Sequence, residues 1–334
     1  MKIFFRCRGG KFQGWGNIIR LARIANYIYK EKKFDVFFIY EGDSKLKSFL
    51  KNYKFRKIFL EEETQLSKEK LILKKFGKPD YTFMEMLEAN LNLQYFYKSI
   101  SKNFIILDDL LDKIYISDYI ICCQSQNINK KNILKSSQTK FFIGNKYFPL
   151  DEKLRVGNEQ KKLKKNISNI LVFLGGGNYE NALLKCAYAI KKVEIKKAKF
   201  IISPNVNAKL KNQISSISKK ISFQKNVKNV YKLLKNYDLA IVSGGYTKFE
   251  SAVMRVPSII IQTQWHQKNI SEKFSEITGC PNLGHMSNLN IKKLISKINY
   301  LKSMKVRKNI LRNYKKVIKK NGIEEILNVT GIRN

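Results

Sequence analysis

The chain has 334 residues, of which 44% are hydrophobic and 12% aromatic, so it is neither a short peptide module nor a disordered chain. Its 65 Lys and Arg against 26 Asp and Glu give a formal net charge of +39, yet no helix-turn-helix, RNP or zinc-finger motif accompanies this charge, so no specific nucleic-acid partner is predicted. No apolar run approaches the roughly 20 residues of a membrane helix, and the start MKIFFRCRGGKFQ lacks the apolar stretch of a signal peptide.

Short apolar strands alternate with helical segments along the chain. A first set of strands is predicted at 2–6, 34–40, 104–107, 119–122 and 141–143, and a second set at 170–174, 200–203, 239–242 and 258–262. Apolar residues at helical spacing lie between them, for example along 18–28 and 227–234. This alternation predicts an α/β fold in which helices cover both faces of parallel sheets.

The stretch 145–168 interrupts this alternation. It contains Asn145, Pro149, Gly157 and the charged run NEQKKLKKN. We therefore predict a first domain at 1–145, a linker at 146–168 and a second domain at 169–334. The tail from 291 has the pattern of basic amphipathic helices, which fits packing against the second domain or peripheral docking on a membrane.

Each predicted domain begins with a strand, a glycine-rich loop and a helix, and the loops of both are expected to line a shared cleft. The first loop, RGGKFQGWGN, contains the predicted ligand contacts Arg8, Gly14 and Gly16. Glycines let a ligand approach the backbone closely, and a helix N-terminus offers free N–H groups to an anion. Asn17 is the predicted N-cap of the following helix.

The second loop, LGGGNYEN, places Gly175, Gly176, Gly177 and Asn178 between a strand and a helix. Three consecutive glycines favour the close approach of a phosphate over a plain turn. The loop has neither the Lys-Ser/Thr pair of a P-loop nor the GxGxxG spacing of a dinucleotide site, so neither chemistry is predicted.

The third loop, SGGYTKFE, follows the strand LAIV and is opened by small residues. Glu250 falls about one turn into the next helix, where its carboxylate either completes a capping box or accepts hydrogen bonds from two ribose hydroxyls. The other predicted ligand contacts in this loop are Ser243, Gly244, Gly245, Tyr246 and Thr247.

The fourth loop, QTQWHQKN, is dense in side chains that form hydrogen bonds with sugar hydroxyls. His266 is either a surface residue or a ligand contact, and Gln267 beside it is a predicted sugar contact.

In the first domain, Asp108 and Asp109 follow the strand FIIL. This carboxylate pair fits the binding of a sugar or a metal, or the acidic N-terminal cap of a helix.

The five cysteines form no CxxC pair. This disfavours a disulfide framework and a Cys-based zinc site, and it predicts a reducing, cytoplasmic location.

The high positive charge has two interpretations. Lys, Asn and Ile are abundant throughout the chain, which fits compositional drift; alternatively, the charge attracts an anionic partner such as a nucleotide-sugar, a phospholipid surface or an acidic glycan.

Together these motifs resemble a known family. The segment KIFFRCRGGKFQGWGNIIRLARIA is similar to the N-terminus of the nucleotide-sugar hydrolases of pseudaminic acid biosynthesis and of the related spore-coat-polysaccharide glycosyltransferases. LGGGN, SGGYTKFES, SIIIQ after Pro257, the pair His266-Gln267 and the joining segment GNKYFPLDEKL resemble the family's later landmarks in the same order. SGGYTKFE also resembles the ribose-binding segment of the undecaprenyl-lipid N-acetylglucosaminyl transferase of peptidoglycan synthesis. The resemblance covers the chain from Lys2 to about Gly284.

The resemblance implies the GT-B fold, in which two Rossmann-like domains with parallel sheets face a central cleft. It also implies that a UDP-sugar binds mainly to the second domain, with Glu250 on the ribose. The chain departs from the family at two positions, because the family hydrolase has an Asp where this chain has Arg8 and a His where it has Asn17. Asn takes no proton near neutral pH, and loss of a general base typically costs roughly 100- to 10,000-fold in rate.

We therefore predict a UDP-sugar-dependent glycosyltransferase of bacterial cell-surface glycan synthesis. A family-type hydrolase with a substitute base and a non-catalytic nucleotide-sugar-binding protein are the alternatives. The acceptor is predicted to be an anionic or lipid-linked glycan that Arg8 and Lys11 attract. Helix N-termini are expected to stabilise the diphosphate, so no metal or other cofactor is predicted. The predicted catalytic set is Asn17, Asp108, Asp109 and His266, with Glu41 and Asp43 as further bases by placement.

Overall fold

A computed structural model describes residues 1–9, 15–42, 45–61, 64–124, 138–151, 154, 163–175, 177, 179–202, 206–225, 227, 230–318 and 320–333. The chain divides into two compact units. The first consists of Met1–Lys153 and Asn321–Asn334, and the second of Leu154–Lys320. Each unit is built on one parallel sheet, so the predicted α/β class is confirmed.

The sheet of the first unit has seven strands: β1 Lys2–Arg8, β2 Asp35–Glu41, β3 Arg56–Leu60, β4 Tyr81–Glu85, β5 Asn103–Leu107, β6 Tyr119–Cys122 and β7 Lys140–Ile143. They lie in the order β3-β2-β1-β4-β5-β6-β7, and all neighbours are parallel. The middle five residues of β1 are all buried, because helices or loops cover both faces of the sheet.

The sheet of the second unit has six strands: β8 Asn169–Phe173, β9 Lys197–Ile201, β10 Ile221–Gln224, β11 Leu239–Ser243, β12 Ser258–Gln262 and β13 Asn282–His285. Their order is β10-β9-β8-β11-β12-β13, again with parallel neighbours. The segments LAIVS and SIIIQ are buried throughout, as expected of central strands.

Helices connect most successive strands of the described chain, as is usual for βαβ crossovers. The exception is the connection from β5 to β6, residues 108–118, which contains no helix. In the first unit they are α1 Gly16–Tyr27, which continues into a π-helical turn at Ile28–Lys32, α2 Lys45–Leu50, α3 Leu66–Lys74 and α4 Leu91–Ile100. In the second unit they are α5 Glu180–Lys192, α6 Ala208–Ile217, α7 Val230–Leu234, α8 Thr247–Val253, α9 Lys268–Thr278, α10 Ile291–Tyr300 and α11 Met304–Val317. The last helix, α12, spans Gly322–Thr330.

Four strands were missing from the sequence prediction: β3, β4, β10 and β13. Three of them lie at sheet edges, where a strand is only partly covered and its apolar pattern is weak. β3, for example, exposes Arg56 and Lys57, and β13 contains Gly284. β4 is central, but its sequence YTFME ends in a buried carboxylate, Glu85, that needs a partner from another element.

The C-terminal segment corrects the predicted domain boundaries. The sequence analysis placed the chain up to 334 in the second domain, whereas Asn321–Asn334 lies with the first unit. Gly322 approaches the backbone of Phe148 so closely that its N–H donates to the Phe148 carbonyl at 2.9 Å, and a Cβ at Gly322 would lie 2.3 Å from the carbonyl carbon of Tyr147. Tyr27 also donates to Glu324, at 3.1 Å. Helix α12 is thus part of the first unit.

The first part of the predicted linker also lies with the first unit. Tyr147, Phe148 and Leu150 are all at most 3% exposed, and they form the surface on which α12 sits. Asn145, Pro149 and the charges nearby indicated a linker, but the three apolar side chains between them decide the local structure. The run 155–162 lies outside the described residues.

Asn321 fixes the start of α12 to the first unit. Its Oδ1 accepts hydrogen bonds from the N–H groups of Ile323 and Leu150, and its Nδ2 donates to the Leu150 carbonyl. We expect Asn321→Ala to lower the free energy of unfolding of the first unit by about 2 kcal/mol, since one cap and two further hydrogen bonds are lost. Urea unfolding and hydrogen–deuterium exchange of α12 measure the effect. Asn290→Ala is the control, because Asn290 caps only α10; equal losses in the two variants would contradict this role of Asn321.

Helices α10 and α11 pack on the second unit, which agrees with the first interpretation of the basic tail. Tyr314 on α11 donates to the carbonyl of Val256 at 3.0 Å. The buried guanidinium of Arg307 donates to the carbonyls of Lys164 and Lys165, which ties α11 to the start of the second unit. Among the described residues, no helix has the length and apolar character needed to cross a membrane.

Candidate functional site

Each sheet has one point at which the chain order reverses. In the first sheet β1 and β4 are neighbours, and the chain continues from them towards opposite edges; in the second sheet β8 and β11 have the same relation. In open α/β sheets, ligands bind outside the carboxyl ends of the strands at such a switch point. The ends of β1 and β4 therefore define the candidate site of the first unit, and the ends of β8 and β11 define that of the second unit.

In the second unit, two of the predicted glycine-rich loops meet at the switch point. Phe173 of β8 pairs with Val242 of β11, so the loops that follow them begin side by side. Gly175 has φ +102°, a conformation that favours glycine. The described part of this site contains Gly175, Gly177, Ser243, Gly244 and Gly245, whereas Gly176 and Asn178 lie outside the described residues.

The loop after β12 is joined to the same place through Gly244. A Cβ at Gly244 would lie 2.3 Å from Oγ of Ser271 and 2.9 Å from Oε1 of Gln267, so only glycine allows α9 to approach this closely. Gln267 Oε1 accepts a hydrogen bond from the N–H of Thr263 at 2.9 Å. A Cβ at Gly245 would lie 3.7 Å from Gln267 Nε2, so this amide faces the glycine pair. Gln267 thus links the third and fourth predicted loops.

The start of α8 is entirely buried and differs in detail from the prediction. Tyr246 occupies the N-cap position without a side-chain cap, so the capping-box alternative for Glu250 is wrong. Glu250 is 7% exposed and lies in the first turn of α8, next to the buried Thr247. Lys248, which the sequence analysis did not single out, is fully buried; its Nζ donates to the Gly244 carbonyl and lies 4.8 Å from the centre of the Phe249 ring.

Both histidines of the chain lie at the ends of neighbouring strands β12 and β13. His285 stacks on Trp265, with ring centres 3.7 Å apart and planes at 13°. Its Nδ1 is 2.8 Å from Oγ of Ser287, which fixes the imidazole. Trp265 is 67% exposed, and His266 beside it is exposed as well. The stacked pair brings together two residues that are 20 positions apart, which the sequence pattern did not indicate.

In the first unit, Arg20 occupies the switch point between β1 and β4. This 3%-exposed guanidinium contacts both oxygens of Glu85 through Nε at 2.9 Å and Asp109 Oδ2 through Nη1 at 2.6 Å. Asp109 also accepts hydrogen bonds from the N–H of Cys123 and from Nε2 of Gln124. Both oxygens of Asp109 are therefore engaged, and the geometry favours a structural role over that of a base.

Asp108 faces a different set of partners. Its Oδ1 accepts from the N–H of Leu110 at 2.9 Å, and its Oδ2 accepts from Lys113 at 2.8 Å and from the Tyr115 hydroxyl at 3.0 Å. No helix begins after this carboxylate pair in the described residues 108–122, so the alternative of an acidic helix cap is wrong. Burial and the adjacent Asp108 raise the pKa of Tyr115, which keeps its hydroxyl a donor to this carboxylate.

A buried charge network lies beneath Arg8. The Arg6 guanidinium, 1% exposed, contacts Glu41 at 2.8 Å and Glu69 at 2.8 Å, and Tyr97 donates to the same Glu69 oxygen. Arg8 is 32% exposed, and its Nε lies 3.0 Å from the other oxygen of Glu41. Arg8 is therefore held at the end of β1 by the carboxylate of Glu41, which the buried Arg6 holds in turn.

These cations make Glu41 a weak proton acceptor. Burial acts to raise the pKa of Glu41, but the hydrogen bonds and charges of Arg6 and Arg8 outweigh it and hold that pKa below its ordinary value. The role of base suggested for Glu41 by its placement thus has no support in the geometry. Asp43, the other base suggested by placement, lies outside the described residues.

The lowered pKa of Glu41 predicts a specific acid sensitivity. Because this pKa is lower in the folded than in the unfolded chain, ionised Glu41 stabilises the fold above the ordinary Glu pKa of about 4.3, and this contribution is lost as pH falls through the folded-state value. Glu41→Gln is expected to make the free energy of unfolding depend less steeply on pH below about 4.3. Urea unfolding at a series of pH values tests this. The exposed Glu61→Gln is the control and should keep the wild-type slope.

Helix α1 begins earlier than predicted, at Gly16, with Trp15 as N-cap. The N-cap prediction for Asn17 is therefore wrong, because the chain is already helical there and the N–H of Ile19 donates to the Trp15 carbonyl at 2.9 Å. Asn17 is half-buried in the first turn. Gly14 and Lys11 lie outside the described residues.

The chain is similar in sequence to two curated proteins, while no family model matches it. The spore coat polysaccharide biosynthesis protein SpsG of Bacillus subtilis is 25% identical over 286 residues, which cover 83% of this chain and 81% of SpsG. The uncharacterized protein MJ1062 of Methanocaldococcus jannaschii is 25% identical over 275 residues, 78% of this chain but 55% of MJ1062, so the chain spans little more than half of that relative. The resemblance to the spore-coat-polysaccharide proteins is thereby confirmed.

Solved structures support the fold. MurG of Acinetobacter baumannii superposes with a TM-score of 0.70 at 10% identity and covers 100% of both chains. Anabaena HepE, solved in complex with UDP and glucose, superposes with a TM-score of 0.62 at 12% identity over 99% of this chain and 98% of HepE. At these identities the likeness concerns the fold, and it confirms the predicted GT-B architecture of two Rossmann-like domains.

Proposed function

We propose that this protein is a UDP-sugar-dependent glycosyltransferase of cell-surface polysaccharide biosynthesis. The observation that carries the proposal is the switch point of the second sheet, where the glycine-opened ends of β8 and β11 meet Gln267. The similarity to SpsG supports the polysaccharide role. HepE, which shares the fold, was solved with UDP and glucose and supports the nucleotide-sugar donor.

The donor is expected to bind along the second unit. Backbone N–H groups around Gly175 and in the segment that follows Gly244 approach the diphosphate. The N–H of Gly244 itself donates to the Ile261 carbonyl at 3.1 Å. Glu250 accepts hydrogen bonds from the ribose hydroxyls, and His266 and Gln267 hold the donor sugar. Remaining backbone contacts of the donor are assigned to Gly177, Ser243, Gly245, Tyr246 and Thr247.

The first unit is proposed to bind the acceptor. Arg8 is the partly exposed cation at the end of β1, and its anchoring by Glu41 directs it towards an anionic group. Asn17 has no basic nitrogen, and the carboxylates of Glu41, Asp108 and Asp109 are held by Arg or Lys. Histidine is the side chain most often used as a general base near neutral pH, so His266 is the first base to test.

Calorimetric titration with UDP, UMP and CMP tests the donor. We expect UDP to bind most tightly, because only UDP offers both the uracil and the diphosphate; the absence of a preference for UDP would contradict the proposal. Incubation with UDP-sugars in the absence of an acceptor then separates the alternatives. Steady release of UDP and free sugar would indicate a hydrolase, and binding without turnover of any donor would indicate a binding protein.

The role of Glu250 predicts a dependence on the ribose hydroxyls. A hydrogen bond to a charged group contributes about 1.5 to 3 kcal/mol, so the wild type should bind UDP roughly 10- to 100-fold more tightly than 2′-deoxy-UDP. Glu250→Gln should weaken UDP binding and bring this ratio close to one. Glu272→Gln, an exposed residue of the same unit, is the matched control. A ratio that survives in Glu250→Gln would show that the ribose is bound elsewhere.

A further inference from the structure

The positive charge is distributed unequally between the two units. Both units contain 167 residues. The first has 30 Lys and Arg against 19 Asp and Glu, a net charge of +11, and the second has 35 against 7, a net charge of +28. If the positive charge came from uniform drift in composition, two units of equal length would have similar net charges. The excess on the second unit therefore indicates a polyanionic partner.

A large part of this excess lies on the last two helices of the second unit. Residues 277–323 contain 12 Lys and Arg and no Asp or Glu. On α11, one face is buried: Arg307, Ile310, Leu311, Tyr314 and Val317. The opposite face carries a row of exposed cations that we call the α11 stripe: Lys305, Lys308, Arg312, Lys315 and Lys316.

The α11 stripe forms one continuous surface. At 100° per residue its five cations fall within an arc of about 100°, and at 1.5 Å per residue they extend over about 16 Å. None of the five lies in an ion pair with another described residue. Arg312 donates to Asn309 at 2.7 Å, which keeps its guanidinium on the outer face. The neighbouring helix α10 adds exposed Lys292 and Lys293.

An aromatic side chain accompanies these cations. Tyr300 is 50% exposed where α10 joins α11, and the Nζ of Lys297 lies 5.5 Å from its ring centre. Tyr is enriched where protein meets the headgroup region of a bilayer, since its ring is apolar and its hydroxyl polar. Each Lys or Arg near an anionic leaflet strengthens the electrostatic attraction between the protein and the membrane surface.

We propose that the α11 stripe docks the second unit on an anionic phospholipid surface. The stripe lies on the convex outer side of a helix whose inner face is buried along its length, so it suits a flat headgroup layer that reaches all its cations at once. The proposal goes beyond the transferase reaction and does not depend on it, because the attraction involves neither Glu250 nor the glycine loops.

Sedimentation of the full chain with vesicles tests this docking. At about 0.15 M salt, we expect the wild type to bind vesicles of phosphatidylcholine with about 30 mol % phosphatidylglycerol and not vesicles of phosphatidylcholine alone. The stripe variant is Lys305→Glu, Lys308→Glu, Arg312→Glu, Lys315→Glu. Its affinity for the anionic vesicles should fall by at least about 30-fold, because four attractive charges become repulsive.

A control variant changes the total charge by the same amount elsewhere in the unit: Lys196→Glu, Lys209→Glu, Lys219→Glu, Lys232→Glu, all at exposed positions. It should bind within about threefold of the wild type if position matters more than net charge. Equal losses in both variants, or no binding by the wild type, would overturn the proposal. Binding to RNA is measured at the same phosphate concentration as binding to vesicles. If the stripe variant lost binding to RNA but kept binding to the anionic vesicles, the proposal would be overturned too. The same four stripe positions changed to Gln, with urea unfolding as a check of folding, repeat the test with a milder change and should also lose affinity for the anionic vesicles.

Discussion

Replacing Arg6 with Met is expected to lower the free energy of unfolding of the first unit by about 3 to 5 kcal/mol. Arg6 is 1% exposed, and its guanidinium is shared between Glu41 and Glu69, which are each 2% exposed. Without it, two buried carboxylates remain near one another, and both lose the cation that they share; Arg8 stays beside Glu41 and Tyr97 beside Glu69. Leaving a buried charge without its partner costs far more than the pair itself contributes, because the desolvation of the remaining ion is no longer offset.

Arg56→Met is the matched control for this prediction. Arg56 is also an arginine on a strand of the first sheet, but it is 68% exposed and lies 3.8 Å from the exposed Asp35. An exposed ion pair contributes at most about 1 kcal/mol, so this variant should unfold at nearly the wild-type urea concentration. If Arg6→Met were as mild as Arg56→Met, the buried network would not stabilise the first unit as argued.

The buried charges also show where sequence patterns stop being informative. A charged residue inside an apolar segment, such as Arg6 in KIFFRCR or Arg20 in NIIRLARIA, indicates that a buried partner exists. It does not indicate which partner. Arg6 reaches Glu69 across 63 positions and Arg20 reaches Asp109 across 89, and these pairings depend on the strand order. Asp109 was therefore predicted as a catalytic or ligand residue although Arg20, Cys123 and Gln124 engage it.

Strands and glycine loops were predictable where a short stretch of sequence is enough to identify them. Segments such as LAIVS and SIIIQ are buried on both sides, so their composition alone identifies them. Edge strands such as β3 and β13 are held by hydrogen bonds to one neighbour and need no apolar pattern. The glycine loops after β8 and β11 could be located in the sequence, but their meeting at one switch point follows only from the order of strands.

The return of α12 to the first unit was hidden for the same reason. Its interface depends on the approach of Gly322 to the backbone of Phe148, 174 positions away. The chain passes from α11 to α12 through the short segment 318–321, and the apolar pattern of α12 does not show on which unit this helix packs. The sequence analysis therefore assigned 321–334 to the wrong unit.

Gly42→Ala is expected to destabilise the first unit by about 3 to 5 kcal/mol. Gly42 follows β2 with φ +145°, and a Cβ there would lie 1.8 Å from the Gly9 carbonyl oxygen and 2.6 Å from Cδ1 of Leu46. The N–H of Gly9 donates to the Glu41 carbonyl at 3.0 Å, so the ends of β1 and β2 are bound together at this point. An alanine must push them apart, which displaces Arg8 from the carboxylate that anchors it.

Gly144→Ala separates the steric overlap from the backbone strain. Gly144 lies in the same unit with a similar φ of +134°, but a Cβ there would meet nothing within 4 Å. This control should lose only the cost of the left-handed conformation, about 1 to 3 kcal/mol, as measured by urea unfolding. The additional loss in Gly42→Ala then measures the contact between the ends of β1 and β2. If both variants lost the same amount, the two strand ends would be free to separate, and the proposed fixing of Arg8 for an anionic acceptor would lose its structural basis.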